Sequence, residues 1–270
     1  MKMHPDYNSL LQFENLNKQP AIQHFSTTRN GGVSKGSFES LNLGNFSDDS
    51  PMDIFENRQI LSRMWYMETD DFIIPHQTHS NNVLVIDEAF MDLNQSDKIE
   101  ALYDVDATIT HLKGLFLCAT TADCVPILLY DKSKQIIAAI HAGWKGIVGG
   151  IIEHTVSKMR ETYHSSVADV FAAIGPSISQ KNYEVGEELI AEFEKSGFNL
   201  STSTIINPTT NKHHIDLKAI VNSELMRLGV PSSQIEISSL CTYDESELFF
   251  SARRQSILCG RMLTGIKLID

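Results

Sequence analysis

The chain has 270 residues, 42% hydrophobic and 21% charged, the composition of a globular protein long enough to bury a core without disulfide staples. Asp and Glu outnumber Lys and Arg by 34 to 22, a formal charge of −12, which argues against a general nucleic-acid or anionic-membrane surface and leaves room only for a local basic pocket. No apolar run approaches the roughly 18 residues of a membrane span. The start, Met1-Lys2-Met3-His4-Pro5-Asp6, is not followed by an apolar stretch, so no secretory leader is expected. Cys118, Cys124, Cys241 and Cys259 do not read as a disulfide framework in so long a chain. A cytoplasmic protein with reduced thiols is expected, each cysteine being a small buried hydrophobe or a chemical group.

No repeat or low-complexity tract divides residues 1–270, so a single domain is expected. Short apolar runs rich in β-branched and aromatic residues predict strands. In chain order these cover residues 22–25, 72–74, 83–86, 115–118, 125–130 and 136–141, with polar loops over 45–53 and 94–104. The strands 125–130 and 136–141 meet across Asp131-Lys132-Ser133-Lys134 and predict an antiparallel hairpin. Ile147, Ile151, Ile152, Val156 and Met159 recur at helical spacing and predict a helix from about residue 146 to 163. A strand over 170–174 follows. Leu189, Ile190 and Phe193 predict a second helix ending near Gly197. Leu217, Ile220, Val221, Leu225 and Leu228 predict a third, opening at Asp216 and stopping at Gly229 before Pro231. Strands over 235–240 and 248–250 complete the reading. Many strands with few helices indicate an α+β protein and not a doubly wound sheet.

Polar or reactive residues break the pattern at Pro75-His76-Gln77-Thr78-His79-Ser80-Asn81-Asn82, Thr120-Thr121-Ala122-Asp123-Cys124-Val125-Pro126, Ile140-His141-Ala142-Gly143-Trp144-Lys145-Gly146 and Ser251-Ala252-Arg253-Arg254. The hairpin places Cys124, just before one strand, beside His141 at the end of the next. His79 would have to enter from a different strand end. Two imidazoles and one thiolate would leave a tetrahedral zinc with an open position, the mark of a catalytic site. Zinc lowers the pKa of a bound water to about 7. A metal-free Cys124–His141 thiolate pair fits the same residues, and isolated Cys and His residues often only pack. Cys118, inside an apolar run, is read as packing. H-E-x-x-H, P-C-x-x-C, H-x-H and G-x-x-x-x-G-K-[ST] are all missing, which removes zincin, usual zinc deaminase, multicopper oxidase and P-loop patterns. For anions, Arg29-Asn30-Gly31-Gly32 offers a backbone nest, the glycines 143–146 lead into a helix, and Arg253 and Arg254 offer bidentate donors, of which one should point inward. Surface arginines and plain glycine turns account for the same residues.

Taken together, these segments closely resemble the family variously labelled laccase-domain, polyphenol oxidase-like or peptidoglycan editing factor proteins. The matching stretches are Ser26-Thr27-Thr28-Arg29-Asn30-Gly31-Gly32-Val33-Ser34, Leu41-Asn42-Leu43-Gly44, Gln77-Thr78-His79, Asp106-Ala107-Thr108-Ile109-Thr110, Thr121-Ala122-Asp123-Cys124-Val125-Pro126 and His141-Ala142-Gly143-Trp144-Lys145-Gly146. They continue through Gly175-Pro176-Ser177-Ile178, Tyr183-Glu184-Val185, Cys241-Thr242-Tyr243 and Phe250-Ser251-Ala252-Arg253-Arg254, with Gly260-Arg261. They run in family order over about residues 20–268. Ala252 stands where an aromatic is common, a difference that bears on local pocket packing.

The resemblance implies a mixed β-sandwich flanked by helices in α/β/β/α layers, a fold shared with a toxin family of cysteine-type deamidases. It implies a zinc site of His79, Cys124 and His141, with copper the other metal because of the laccase label, although the ligand set for several coppers is missing. The implied activity is purine nucleoside phosphorolysis, in which adenosine, inosine, guanosine or methylthioadenosine reacts with phosphate to give a base and ribose 1-phosphate, accompanied by adenosine deamination. Within that chemistry, Asp123 or Asp106 is expected to shuttle the proton and Arg29 and Arg254 to bind phosphate. The partners expected are purine nucleosides and phosphate, without nucleic acid or membrane, in a monomer or homodimer. A zinc-free cysteine hydrolase or amidase acting on cell-wall peptidoglycan precursors, using Cys124 and His141, is the alternative, and a non-enzymatic binding protein the third class.

Overall fold

The computed structural model describes residues 1–269. Its strands, in chain order, are β1 (Lys2–Met3), β2 (Leu10–Gln12), β3 (Ile22–Thr27), β4 (Phe72–Ile73), β5 (Val83–Val85), β6 (Ala107–Thr110), β7 (Phe116–Thr121) and β8 (Val125–Asp131). They continue with β9 (Ile136–Ala142), β10 (Val170–Ile174), β11 (Glu184–Val185), β12 (Thr204–Ile206), β13 (His213–Ile215), β14 (Ile235–Ile237) and β15 (Met262–Leu268). β8, β9 and β15 are buried at every residue. Strands of that kind need cover on both faces, and the layering follows from this need.

Beside a small sheet of order β11-β13-β12, the described residues form two six-stranded sheets, one of order β1-β2-β3-β15-β7-β4 and the other β14-β10-β8-β9-β6-β5. Their inner faces meet in a core in which Leu117 and Ile266 from one sheet join Leu128, Tyr130, Ile137 and Ala139 from the other. The outer face of the second sheet, including Ile127, Leu129, Ala138 and Ile140, is covered by the helices Ile151–Tyr163 and Leu217–Arg227 through Ile152, Met159, Val221 and Leu225. On the other side, Phe25, Phe116 and Cys118 pack beneath Leu61 and Met64 of the helix Pro51–Met64. The expected α+β sandwich in α/β/β/α layers is therefore present. Most pairings are antiparallel, and the β4–β7, β5–β6 and β10–β14 pairs are parallel, which makes both sheets mixed. No helix of the described residues is long and apolar enough to cross a membrane.

Several sequence expectations change. The single helix over 146–163 is two helices, Trp144–Val148 and Ile151–Tyr163, because Gly149-Gly150 interrupts it and Gly150 takes φ 81°. The loop over 94–104 contains the helix Gln95–Ala101, whose N-cap Asn94 accepts from the Asp97 amide at 3.1 Å. The loop over 45–53 ends at Ser50, which caps the helix Pro51–Met64. Met52 and Phe55 of that helix are exposed while Ile54 and Leu61 are buried, so its apolar residues do not form one stripe and periodicity does not mark it. The apolar run 248–250 is not a strand. Phe249 and Phe250 are buried with Cys259 and Met262 in an irregular segment. β15 escapes the sequence reading because Thr264, Gly265 and Lys267 break its apolar run. Each has a packing reason. Thr264 Oγ1 lies 2.8 Å from Ser26 Oγ, a Cβ on Gly265 would lie 2.9 Å from Cys118 Sγ, and Lys267 Nζ sits 4.9 Å from the Phe116 ring centroid.

His24 in β3 is 1% exposed, and its Nε2 accepts from the Phe13 amide at 2.8 Å. Burial pulls its pKa from 6.5 to about 3. The unfolded chain takes up this proton as the pH falls through 6.5, whereas the folded chain does so only near 3, so stability declines with acidification across that window. Urea denaturation is expected to show about 2 kcal/mol more loss between pH 7 and pH 5 in the wild type than in His24→Gln. Equal losses would mean that His24 titrates normally in the folded protein.

Candidate functional site

In the β8–β9 hairpin, Pro126 pairs with His141 and Val125 with Ala142. Cys124 therefore lies on the same sheet rim as His141, as the turn at 131–134 predicts. β6 flanks β9 on the other side, with Ala107 opposite Ile140, and Asp106 enters the rim beside His141. β5 runs parallel to β6, with Val83 opposite Ala107, and this pairing brings the loop preceding β5, which carries His79, to the same rim. Three separate segments thus converge. Among the described residues, His79, Cys124 and His141 are the group of three candidate metal ligands, their donor atoms all within 4.8 Å of one another. Cys124 Sγ is 3.7 Å from His79 Nε2, and the two imidazole centroids are 4.9 Å apart. His79 is exposed, Cys124 is half-buried, and His141 is buried inside β9.

Asp106 fixes this geometry. Its Oδ1 lies 2.6 Å from His141 Nδ1, which leaves Nε2 of His141 for the group. Its carboxylate also accepts from the amides of Thr78 (3.1 Å), His79 (3.1 Å) and Ser80 (2.8 Å), and from Ser80 Oγ (2.9 Å). The His141 amide donates to the Asp106 carbonyl at 2.8 Å. His79 takes φ 66° and Asp123 φ 94°, left-handed conformations that cost non-glycine residues and are held here by the surrounding bonds. Gly143 allows the close approach, since a Cβ there would lie 2.6 Å from His79 Cδ2 and 3.1 Å from Cys124 Sγ. Burial opposes a thiolate at Cys124, but the neighbouring His141 and hydrogen bonds from both histidines outweigh it and hold the thiol well below its usual range. Burial likewise opposes an imidazolium at His141, while Cys124 and Asp106 hold its pKa above the ordinary value. A thiolate and two imidazoles, one with its tautomer fixed by a carboxylate, suit a divalent metal of borderline softness.

The group opens into a cavity of about 510 Å³ walled by Phe46, Trp144, Tyr183, Arg253 and Arg261 among others. The expected phosphate ligands do not line it. Arg254 donates to the carbonyls of Thr242 (2.8 Å), Tyr243 (2.6 Å) and Phe249 (2.6 Å). Arg29 donates to the carbonyls of Glu39 (2.6 Å) and Ser246 (3.2 Å) and lies over the Phe250 ring. Both guanidiniums brace loops. The glycine nest near Arg29 is also taken, for the Gly32 and Val33 amides donate to Ser40 Oγ and Asn57 Oδ1. Residues 252–255 form a helical turn and not a strand, so the alternation expected of Arg253 and Arg254 does not apply. Arg253 is the member of that pair that reaches the cavity, beside the Tyr183 ring at 5.2 Å. Asp123 accepts from Thr242 Oγ1 (2.6 Å), Ser251 Oγ (3.0 Å) and the Arg253 amide (2.7 Å), and so ties the 242 and 251–253 segments together. Both expected proton carriers thus accept several hydrogen bonds, and of the two Asp123 lines the cavity. Ala252 lines the cavity, so a small side chain stands at this wall. Phe46, in an irregular loop without a local motif, is the wall residue that the sequence reading misses.

Gly143→Ala is expected to fold but to lose metal binding, because its methyl group occupies the space between His79 and Cys124. Circular dichroism and metal analysis after dialysis against zinc check this, and full metal occupancy would contradict it. Arg254→Ala is expected to lower stability by about 2 kcal/mol or more in urea denaturation, because three backbone carbonyls lose a charged donor. Unchanged stability together with lost phosphate binding would return Arg254 to the role of phosphate ligand.

The profile of the family described as multi-copper polyphenol oxidoreductase laccase matches residues 23–269. The chain is 42% identical over 257 residues to a purine nucleoside phosphorylase of Bacteroides thetaiotaomicron, covering 95% of each protein. It is 40% identical over 245 residues to adenosine deaminase RL5 from an unknown prokaryotic organism, covering 91% of this chain and 93% of the relative. The crystal structure of YlmD from Geobacillus stearothermophilus superposes with a TM-score of 0.90 at 29% identity, over 99% of both chains. The fold, the site-bearing segments and these full-length similarities agree, and the chain belongs to the multi-copper polyphenol oxidoreductase laccase family.

Proposed function

We propose that this protein is a zinc-dependent purine nucleoside phosphorylase that also deaminates adenosine, acting in the cytoplasm as a monomer or homodimer. Adenosine, inosine, guanosine and methylthioadenosine are its nucleosides, and inorganic phosphate its second substrate. The observation that carries this reading is the meeting of the His79–Cys124–His141 group, aromatic walls and two guanidiniums in one cavity. Two relatives that span nearly the whole chain bear the names of the two activities, which supports it further. The cysteines are all free, in keeping with a reducing compartment.

His79, Cys124 and His141 would hold the zinc, and Asp106 would keep His141 in the tautomer that presents Nε2. When bound, zinc supplies Lewis acidity toward the purine and acidifies a water. In phosphorolysis the C1′–N9 bond breaks, a phosphate oxygen forms the new bond to C1′, and the base leaves with the bonding electron pair and gains the proton that the phosphate gives up. Arg253 reaches the cavity and replaces Arg29 and Arg254 as the group that binds the phosphate. Arg261 lines the cavity too, but it donates to the carbonyls of Cys259 at 2.6 Å and of Gly260 and Ile257 at 3.1 Å each. Arg253 engages only Nη1 with carbonyls, those of Glu184 at 2.9 Å and Asn182 at 3.5 Å, so its remaining donors serve an anion. Trp144 and Tyr183 shield the reacting atoms from bulk water. In deamination a water oxygen forms the new bond to C6 of adenosine, the C6–N6 bond breaks, and the amino group takes a proton from that water and leaves as ammonia, a reaction that needs no guanidinium.

One observation favours a second reading. Cys124, His141 and Asp106 stand in the order of a nucleophile, its base and the carboxylate that orients the base, with the Cys124 thiol depressed. A cysteine hydrolase or amidase acting on peptidoglycan precursors would use that order without metal.

Protein purified without added metal is expected to carry about one zinc per chain. His79→Ala and His141→Ala should lose the zinc and both nucleoside activities while circular dichroism stays unchanged. Chelation should abolish turnover, added zinc should restore it, and the chelated protein should become open to alkylation at Cys124, read by intact-protein mass spectrometry. A substrate-derived adduct on Cys124 in active, metal-free protein would establish the hydrolase reading instead.

A further inference from the structure

Phe46 is a large apolar side chain, 60% exposed on the cavity wall. Its ring stacks on His76 with centroids 3.6 Å apart and planes 12° from parallel. Phe46 lines the cavity and His76 does not, so the stack ends at the cavity with Phe46. The backing ring is itself fixed. Tyr103 meets it edge-on at 4.9 Å and 80°, and the His76 amide donates to the Leu102 carbonyl at 2.9 Å. The loop that carries Phe46 is braced as well, since Asn42 Nδ2 donates to Ser47 Oγ and Ser47 Oγ to the Gly44 carbonyl, both at 2.8 Å. Gly44 packs against Arg261 so closely that a Cβ would lie 2.6 Å from Arg261 Cγ. Phe46 and a cavity guanidinium are thus set on one wall.

A stack of aromatic rings that ends at a cavity is a surface for one more flat ring. Aromatic faces accept any nucleobase, because every base has a π-face, and the interaction is insensitive to the substituents on the base. We propose that Phe46, backed by His76, is the platform on which the purine base stacks. The inference rests on the nucleoside reading above and adds to it the residue that recognises the base. It accounts for tolerance of both amino- and oxo-purines, since stacking does not read the C6 substituent.

The test compares wild type with Phe46→Ala, Phe46→Leu and Phe46→Tyr, using inosine and inorganic phosphate for turnover, inosine alone for calorimetric binding, and zinc content for the integrity of the site. Phe46→Ala and Phe46→Leu are expected to raise KM and Kd about tenfold, with kcat altered less than about threefold and zinc unchanged, while Phe46→Tyr stays near wild type. Phe46 is exposed, so these variants keep the fold, and circular dichroism verifies it. An unchanged KM in Phe46→Ala overturns the inference. So does full recovery by Phe46→Leu, which would show apolar cover without stacking, and so does a loss of zinc and kcat in place of a KM effect. A wild type that neither binds nor turns over inosine overturns the nucleoside reading and this inference with it, whereas an active wild type beside an unaffected Phe46→Ala overturns this inference alone.

Discussion

The carboxylate of Asp106 is shared between the Nδ1 of His141 and the successive amides of Thr78, His79 and Ser80. Those two sets of donors come from a strand and from a loop, and among the described residues no other side chain joins them in this way. One anion therefore sets both the tautomer of one imidazole and the position of the loop that carries the other. Burial alone would raise the carboxyl pKa, but the hydrogen bonds from His141 and Ser80 reverse this and hold it below the usual carboxylate range. The buried charge is tolerated because each of its oxygens is satisfied.

The sheet provides the remaining constraints. β6, β8 and β9 are hydrogen-bonded neighbours, so the residues at their ends fall on one rim with spacings fixed by strand pairing. Side chains at such a rim keep their separations without relying on loop order. Where loops are required, arginines brace them. Arg29 and Arg254 each donate to backbone carbonyls of segments that lack regular structure, and Asp123 joins two of those segments from the other direction. Charge placed inside the protein is thus largely architectural, and the guanidiniums that reach the cavity are different ones, Arg253 and Arg261.

The hairpin and its consequence were legible in the sequence. Apolar runs on either side of Asp131-Lys132-Ser133-Lys134 fix an antiparallel pair, and pairing alone puts Cys124 beside His141. His79 could be named as a candidate but not located, because its position depends on the parallel β5–β6 pair, which local sequence does not encode. The central strand β15 was missed for a related reason, as its Gly265 and Lys267 are dictated by Cys118, Phe25, Phe116 and Trp65 on other elements. Residue type makes arginine the candidate phosphate ligand. Which arginine has donors to offer depends on the carbonyls around it, a property of the folded chain: Arg29 and Arg254 are bonded to loop carbonyls away from the cavity, whereas Arg253 lines it and engages only Nη1. Phe46 carries no local signal, since an aromatic residue in a polar loop becomes a wall only when His76 is brought behind it.

Asp106 organises the candidate metal ligands, and the most direct test is the zinc affinity of Asp106→Asn, measured by competition with a chromophoric chelator. The amide keeps the size of the carboxylate, but its NH2 group faces donors from Thr78, Ser80 or His141 whichever way it turns. Zinc affinity is predicted to fall by about 10- to 100-fold with the circular dichroism spectrum unchanged. Wild-type affinity in a folded Asp106→Asn protein would contradict the account.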